Sequence, residues 1–441
     1  MKYFKVYTLG CKINQVDSRN LNKFLCANGW REAIINQPDW IFVNSCSVTM
    51  GAINKTKKLI MQLKKEYIGA KIALMGCYAK VYLGNKKINL HKQNKKIKLG
   101  ADNILLSLED IKKFVFICGK KGERNKKKAT EEINDNGFKI DSPFAGGRAR
   151  YYLKIQEGCN QFCTYCVIPY ARTHMVSKAK KEIIQEAKAA IKAGYREIIL
   201  CGIHLGRFSL KGGGRGIGDG RDLAKLVGEI IKLKNLGRVR LSSIEITEVT
   251  DELIDLMKQS EKICPHLHIS LQSGSDRILR LMHRPYTKKF FLDRIEKIKK
   301  LLPKIALTTD VIVGFPGEEE QDFQETVNLI RKIGMARVHV FSFSAHERTI
   351  ASKLPNQVKP SLRKQRASRL RIINEELERK YLAKMRGTLA KIVVEKTVNQ
   401  NAIGRSEYYY PLIAKVDGQV KRGQLVDATW QIGRASCRER V

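Results

Sequence analysis

The chain has 441 residues, 43% apolar and 29% charged, which suits a soluble globular protein of two or three domains. Lys and Arg total 83 against 43 Asp and Glu, a formal charge of +40 that asks for a polyanionic partner, nucleic acid first. No apolar run reaches the roughly 18 residues of a membrane span, so a membrane partner is excluded from the reading. Abundant Lys, Asn and Ile also fit an AT-rich genome, so charge alone does not place a nucleic-acid site. "MKYFKVYTLGC" lacks the apolar core and cleavage site of a signal peptide, which points to the cytoplasm. Thiols stay reduced there, and 11 cysteines in such a chain suggest metal or catalysis before disulfides.

Residues 1–118 read as an N-terminal parallel α/β domain. The runs "KYFKVYTLG", "DWIFVNS" and "KIALMG" are short, apolar and β-rich, and each precedes a helix-like stretch. Cys11, Cys46 and Cys77 follow these runs directly. In a parallel sheet the carboxyl ends of strands share one edge, where ligands bind, so three thiols far apart in sequence converge. The competing reading is that each is a buried free cysteine, a common small hydrophobe. Residues 119–142, "GKKGERNKKKATEEINDNGFKID" and its surroundings, read as a polar linker.

From 143 to 375 six strand-like runs alternate with helical patterns: "YYLKIQEG", "EIILCGI", "VRLSSIE", "HLHISLQ", "IALTTDVIVGF" and "ARVHVFSFS". Six β/α units predict a partial or full α/β barrel. After the first strand, Cys159, Cys163 and Cys166 make a C-x3-C-x2-C loop. A structural zinc site takes four ligands, and His174 is the only nearby candidate for a fourth. An iron–sulfur cube held by three cysteines would keep one iron open for an outside ligand. Glu245, Gln272, Ser273 and Asp310 fall at later strand ends, the face where barrel active sites collect, or else cap a turn or helix there. "GFPGEEE" lacks the Lys of a phosphate loop, and His266 and His268 read as structural. Cys26, Cys118, Cys201 and Cys264 have no partner pattern and read as packing residues. "SLRKQRASRLRIINEELERKYLAKM" is a long basic helix, and 376–431 reads as a small β-barrel. The tail 432–441, "GRASCRERV" with the residue before it, matches nothing else in the chain and resembles translated vector sequence.

The wider sequence resembles the radical S-adenosylmethionine methylthiotransferases. "YTLGCKINQVDS", "VNSCSVT", "GCNQFCTYCVIPYAR", "CPHLHISLQSGSDRILRLMHRPYT" and "TTDVIVGFPGE" look like blocks of that family, and residues 376–431 look like its RNA-binding TRAM module. The resemblance implies that Cys159, Cys163 and Cys166 hold a 4Fe-4S cluster whose open iron chelates S-adenosylmethionine, from which one electron releases a 5′-deoxyadenosyl radical. It implies a second 4Fe-4S cluster on Cys11, Cys46 and Cys77, whose open iron carries the sulfur to be installed. Tyr165 takes the aromatic position beside the adenine, with plain core packing as the alternative. Gly202 lies in the segment that meets the methionine amino group. The same likeness implies a tRNA substrate and an electron donor such as flavodoxin or ferredoxin, in a chain expected to be a monomer. Lys12, Asn14 and Gln15 resemble the branch acting on threonylcarbamoyladenosine. Other branches act on isopentenyladenosine or on a ribosomal-protein aspartate. A metal-stabilised RNA-binding protein is the non-enzymatic alternative. After "IPYAR" the family commonly continues with Gly and arginines, where this chain has "THMVSK".

Overall fold

The structure, a computed structural model, describes residues 1–83, 100–119, 148–212, 216–416 and 418–430. The expected linker beyond Gly119 and the tail over 432–441 lie outside the described residues. No helix among them is long and apolar enough to cross a membrane.

The N-terminal domain runs β1 (Lys2–Thr8), α1 (Lys12–Ala27), β2 (Trp30–Glu32), β3 (Trp40–Ser45), α2 (Met50–Glu66), β4 (Lys71–Gly76), α3 (Cys77–Leu83), β5 (Asn103–Ile104) and α4 (Leu108–Gly119). All pairs are parallel, in the order β2-β1-β3-β4-β5. The reason lies in the sequence: β3 is buried at every position, as a strand covered on both faces must be. Phe42 and Trp40 pack with Leu21, Leu25 and Phe114 from α1 and α4, while Ile41 and Val43 pack with Ile53, Ile60 and Tyr78 from α2 and α3. Chain order reverses between β1 and β3, and the crevice outside the strand ends at such a reversal is where ligands bind in open parallel sheets.

The barrel follows: β6 (Tyr151–Lys154), β7 (Gln156–Glu157), α5 (Ile168–Ala171), β8 (Val176–Ser177), α6 (Lys180–Lys192), β9 (Glu197–Cys201), α7 (Arg221–Ile231), β10 (Arg238–Leu241), β11 (Ser243–Ile244), α8 (Asp251–Gln259), β12 (His266–Ile269), α9 (Asp276–Leu281), α10 (Lys288–Leu301), β13 (Ala306–Val313), α11 (Glu320–Ile333) and β14 (Arg337–Ser342). The wall forms as two parallel sheets, β6-β9-β10 and β11-β12-β13-β14, so it is a partial six-stranded barrel bent where β10 passes into β11. Leu153, Ile198, Leu200, Val239, Leu267 and Leu307 face the helices in one large core. By the two-residue period of a strand, their neighbours Lys154, Glu197, Arg240, His266, His268 and Asp310 face the interior.

α12 (Pro360–Met385) leads into β15 (Leu389–Val398), β16 (Asn401–Ser406), β17 (Pro411–Lys415) and β18 (Leu425–Thr429). These form an antiparallel sheet in the order β17-β16-β15-β18. The expected small barrel is thus a curled half-barrel. "AIGRSEYYYPLIAKV" is two strands, β16 and β17, around a turn in which Tyr409 has φ +70°. The sheet sits on the barrel floor. Buried Arg238 and Arg240 pair with Glu197 and donate onward to the carbonyls of Lys391, Arg405, Ser406 and Glu407 at 2.5–2.9 Å. Burial would raise the Glu197 carboxyl, but the two guanidiniums outweigh it and hold it at about 2.

Candidate functional site

The three N-terminal cysteines meet at the sheet edge. Cys11 stands at the N-cap of α1 and is exposed, Cys46 is buried just past β3, and Cys77 opens α3 and is buried. Asn14 centres them: its Oδ1 lies 3.9 Å from both the Cys11 and Cys77 Sγ atoms. Its Nδ2 donates to the Leu9 and Ser45 carbonyls at 2.8 and 3.0 Å, and the Ser45 hydroxyl donates to the Met75 carbonyl. A run of hydrogen bonds therefore ties together the exits of β1, β3 and β4. Gly76, directly before Cys77, has φ +91°, and a Cβ there would lie 2.4 Å from Asn44 Oδ1, so only glycine makes that exit.

The barrel cysteines share one loop. Gly158 (φ +80°) turns the chain out of β7, and a Cβ on it would lie 2.0 Å from the His174 carbonyl oxygen. Cys159 N–H donates to the Arg172 carbonyl at 3.2 Å, and Cys166 N–H to the Cys163 carbonyl at 2.9 Å. Arg284 Nη1 reaches the Cys163 Sγ at 3.3 Å while Nη2 pairs with Glu245. His174, offered by the sequence as a zinc ligand, is exposed. His204 instead lies beside this set, its Nδ1 3.6 Å from Cys159 Sγ and its Nε2 2.7 Å from buried Glu248. Burial opposes a charge on that ring, yet Cys159 and Glu248 push it up to about 10.

Burial pushes the Cys46 thiol up to about 11 and Cys166 up to about 12. It also raises Cys77 and Cys163, although Arg172 and Arg284 pull the other way. Metal binding at either set must therefore displace protons.

Arg172, the last residue of "IPYAR", joins the sets. Its Nε is 3.4 Å from Cys77 Sγ, and its Nη2 donates to Asn14 Oδ1 at 2.9 Å and Asp17 at 2.7 Å. Nη1 pairs with Glu157, and Lys154 bonds both Asp17 and Glu157 at 2.7 and 2.9 Å. Below this junction Ile13 of α1 packs on Ile199 and Cys201 inside the barrel.

The remaining predicted residues divide. Gly202 passes close to Gln156, whose amide donates to the Glu157 and Gly158 carbonyls and whose Oε1 accepts from His204 N–H at 2.8 Å. Glu245 faces the cysteine loop through Arg284. Tyr165 packs against Ile278, Met282, Phe315 and Phe343, with its hydroxyl 3.5 Å from Arg284 Nη1. Gln272, at φ +66°, joins β13 by backbone bonds to Asp310 and Ile312. Asp310 lies 3.2 Å from His268 Nε2 and clusters with His339 inside the barrel. Ser273 is not brought to the site: it is buried, its hydroxyl accepting from Ser275 N–H and meeting Thr326 of α11. Cys201 and Cys264 are buried packing residues as expected, but Cys26 is exposed. Asn14 enters the sequence reading only as a mark of branch, and Arg172, Arg284, His204 and Glu248 do not enter it. Charged residues inside the "IPYAR" and "MHRPYT" blocks were the available signal.

Two sets of three thiols, the N-terminal one with Cys11 exposed and the barrel one with Cys159 and Cys166 partly exposed, match the donor chemistry of iron–sulfur cubes, which would leave one iron of each without a protein ligand. Residues 153–330 match the radical SAM superfamily, and residues 3–100 match the uncharacterized protein family UPF0004. The chain is 33% identical to the threonylcarbamoyladenosine tRNA methylthiotransferase MtaB of Bacillus subtilis, over 93% of this chain and 89% of that protein. It is 33% identical to the protein of that name from Thermotoga maritima, over 93% and 90% of the two chains. A tRNA-2-methylthio-N(6)-dimethylallyladenosine synthase of Acetivibrio thermocellus is 30% identical over 91% and 82%. Among solved structures, the radical S-adenosylmethionine methyltransferase TsrM of Kitasatospora setae, with cobalamin and a [4Fe-4S] cluster bound, has a TM-score of 0.54 at 10% identity, covering 80% of this chain and 77% of that one. That likeness shows the fold alone. With 33% identity along nearly the whole length of such relatives, the chain belongs to the radical S-adenosylmethionine methylthiotransferase family of enzymes.

Proposed function

We propose that the protein places a methylthio group on C2 of N6-threonylcarbamoyladenosine beside the anticodon of tRNA. The carrying observation is the pairing of two three-thiol sets at one domain junction, in a chain whose relatives named for that modified adenosine match it almost end to end. S-adenosylmethionine and [4Fe-4S] clusters are the cofactors of the family. Cys159, Cys163 and Cys166 would hold one cluster and Cys11, Cys46 and Cys77 the other. When bound, they and S-adenosylmethionine supply a carbon-centred radical, able to take hydrogen from an unreactive C–H bond, and the sulfur and methyl group to be installed.

The chain's own residues do the positioning. Arg284, held by Glu245, braces Cys163, and Asn14 fixes the three strand exits that present the N-terminal thiols. Tyr165, Gly202, Gln272 and Asp310 are assigned to the cosubstrate side of the barrel mouth, and Ser273 to capping. The domain reading is 1–118 for the N-terminal set, 143–375 for the barrel and 376–431 for RNA, whose phosphates the excess of Lys and Arg would neutralise. A small one-electron carrier such as flavodoxin or ferredoxin supplies the electron, and the chain acts as a monomer.

The test is mass spectrometry of tRNA nucleosides from cells lacking methylthio modification, with and without this gene. The reading expects the methylthio derivative of threonylcarbamoyladenosine. Appearance of only the isopentenyl derivative would overturn the substrate and keep the chemistry. Absence of both from cells holding iron-loaded protein would overturn the tRNA reading.

A further inference from the structure

One residue touches both halves of the site. Arg172 leaves α5 within the barrel, and its guanidinium, 4% exposed, reaches across to the N-terminal domain, with Nε 3.4 Å from Cys77 Sγ. Its own carbonyl accepts from Cys159 N–H at 3.2 Å. The guanidinium also bonds Asn14 Oδ1, the atom equidistant from Cys11 and Cys77, and pairs with Asp17 and Glu157. One residue thus holds a backbone bond to the first cysteine of one set and N–H contacts at the centre of the other.

We propose that Arg172 is a positioning residue for the N-terminal cysteine set, fixing it against the barrel's cysteine loop and biasing the cluster it carries toward the reduced state. This rests on the reading of Cys11, Cys46 and Cys77 as cluster ligands. An arginine fork is planar and pre-organised, so it satisfies several acceptors at little further entropic cost. Hydrogen bonds to cluster sulfurs and the charge around them set the reduction potential. Reduction adds one negative charge, and a cationic N–H donor at a ligand sulfur stabilises it. The surroundings reinforce the sign. Arg172 and Lys154 face two carboxylates, Asp17 and Glu157, so losing the guanidinium leaves one cation against two anions. Loss of the donor and loss of the charge both make the cluster harder to reduce.

The experiment uses the full chain carrying C159A, C163A and C166A, which leaves only the N-terminal set, with R172Q and R172K added in turn. Iron per chain and an anaerobic redox titration followed by electron paramagnetic resonance are the readouts. R172Q is expected to move the midpoint negative by about tenfold in the reduced-to-oxidised ratio, about 59 mV for a one-electron couple. R172K, which keeps the charge and loses the fork, shifts it less in the same direction. R172Q holding parental iron at an unchanged midpoint would overturn the proposal. In the reciprocal C11A, C46A, C77A chain, R172Q should keep parental iron, because Cys159 is held by the backbone of residue 172. Iron lost from the N-terminal set alone, with R172K loaded and shifted, supports the proposal. Equal loss from both chains would overturn it and reduce Arg172 to a general brace. No iron in the parent would overturn the reading of the N-terminal set, and the proposal with it, whatever the tRNA experiment returns.

Discussion

The two cysteine sets reach the same count of thiols by opposite routes. The barrel set lies on one loop of eight residues, so its geometry is local, and the fold need only present it at a strand end. The N-terminal set comes from three strand exits and depends on the register of the whole sheet, since a slip of one residue would turn each exit over. Each set nevertheless has an arginine N–H at one thiol, Arg172 at Cys77 and Arg284 at Cys163. A local motif can thus tolerate change in the body of its domain, while a convergent one cannot.

Removing a thiol from each set makes the sharpest contrast. Cys163→Ala should abolish both 5′-deoxyadenosine formation and the methylthio product. Cys46→Ala should abolish the product while leaving S-adenosylmethionine cleavage, as read by chromatography of both compounds. Product from C46A would end the two-site reading. Next in size, Glu245→Gln leaves the buried Arg284 charge without its carboxylate, a change that costs about 3–5 kcal/mol for a buried pair. The expected result is a lowered urea midpoint for the barrel and iron lost from its set only.

The two glycine exits test locality directly. Gly158→Ala forces a Cβ against the His174 carbonyl, and Gly76→Ala forces one against Asn44, each costing on the order of 1–3 kcal/mol in strain. Each should deplete iron from its own set and spare the other. Iron falling in both sets from either variant would mean that the sets form one cooperative unit. Asn14→Ala, which leaves the Leu9 and Ser45 carbonyls unpaired, should cost about 1–3 kcal/mol and weaken the N-terminal set alone.

The smallest effect is in acid. Burial would raise the Asp17 carboxyl, but Lys154 and Arg172 outweigh it and hold it below the usual carboxylate range. Its contribution to stability is full above the unfolded value of about 3.9 and is lost as pH falls through the lower folded value. Asp17→Asn should therefore lower the urea midpoint at neutral pH and flatten its decline below about pH 4. An unchanged acid profile would remove Asp17 from the domain junction's energetics.

Local patterning in the chain was enough for the parts whose information spans a few residues. Strand runs such as "DWIFVNS", the six β/α units and the C-x3-C-x2-C loop are read from patterning and spacing over a few residues. The rule that parallel strand ends share an edge extended this to Cys11, Cys46 and Cys77, where Asn14 meets the thiols of Cys11 and Cys77 and bonds the carbonyl just before Cys46. Tertiary structure alone decided the rest. The sequence places Ser273 and Asp310 alike at strand ends, yet Ser273 lies past β12 with its hydroxyl turned to α11, while Asp310 lies within β13 and its side chain faces into the barrel, because where a strand stops is set by its partner strands and by what packs behind it. The Tyr409 turn carries neither Gly nor Asn at its positive φ, so the C-terminal run gave no local sign of breaking into β16 and β17. Arg172 acts on a thiol 95 positions away and Arg284 on one 121 positions away. Such contacts leave no spacing in the chain to read, because they arise only when burial brings distant segments together and obliges each charge to find a partner.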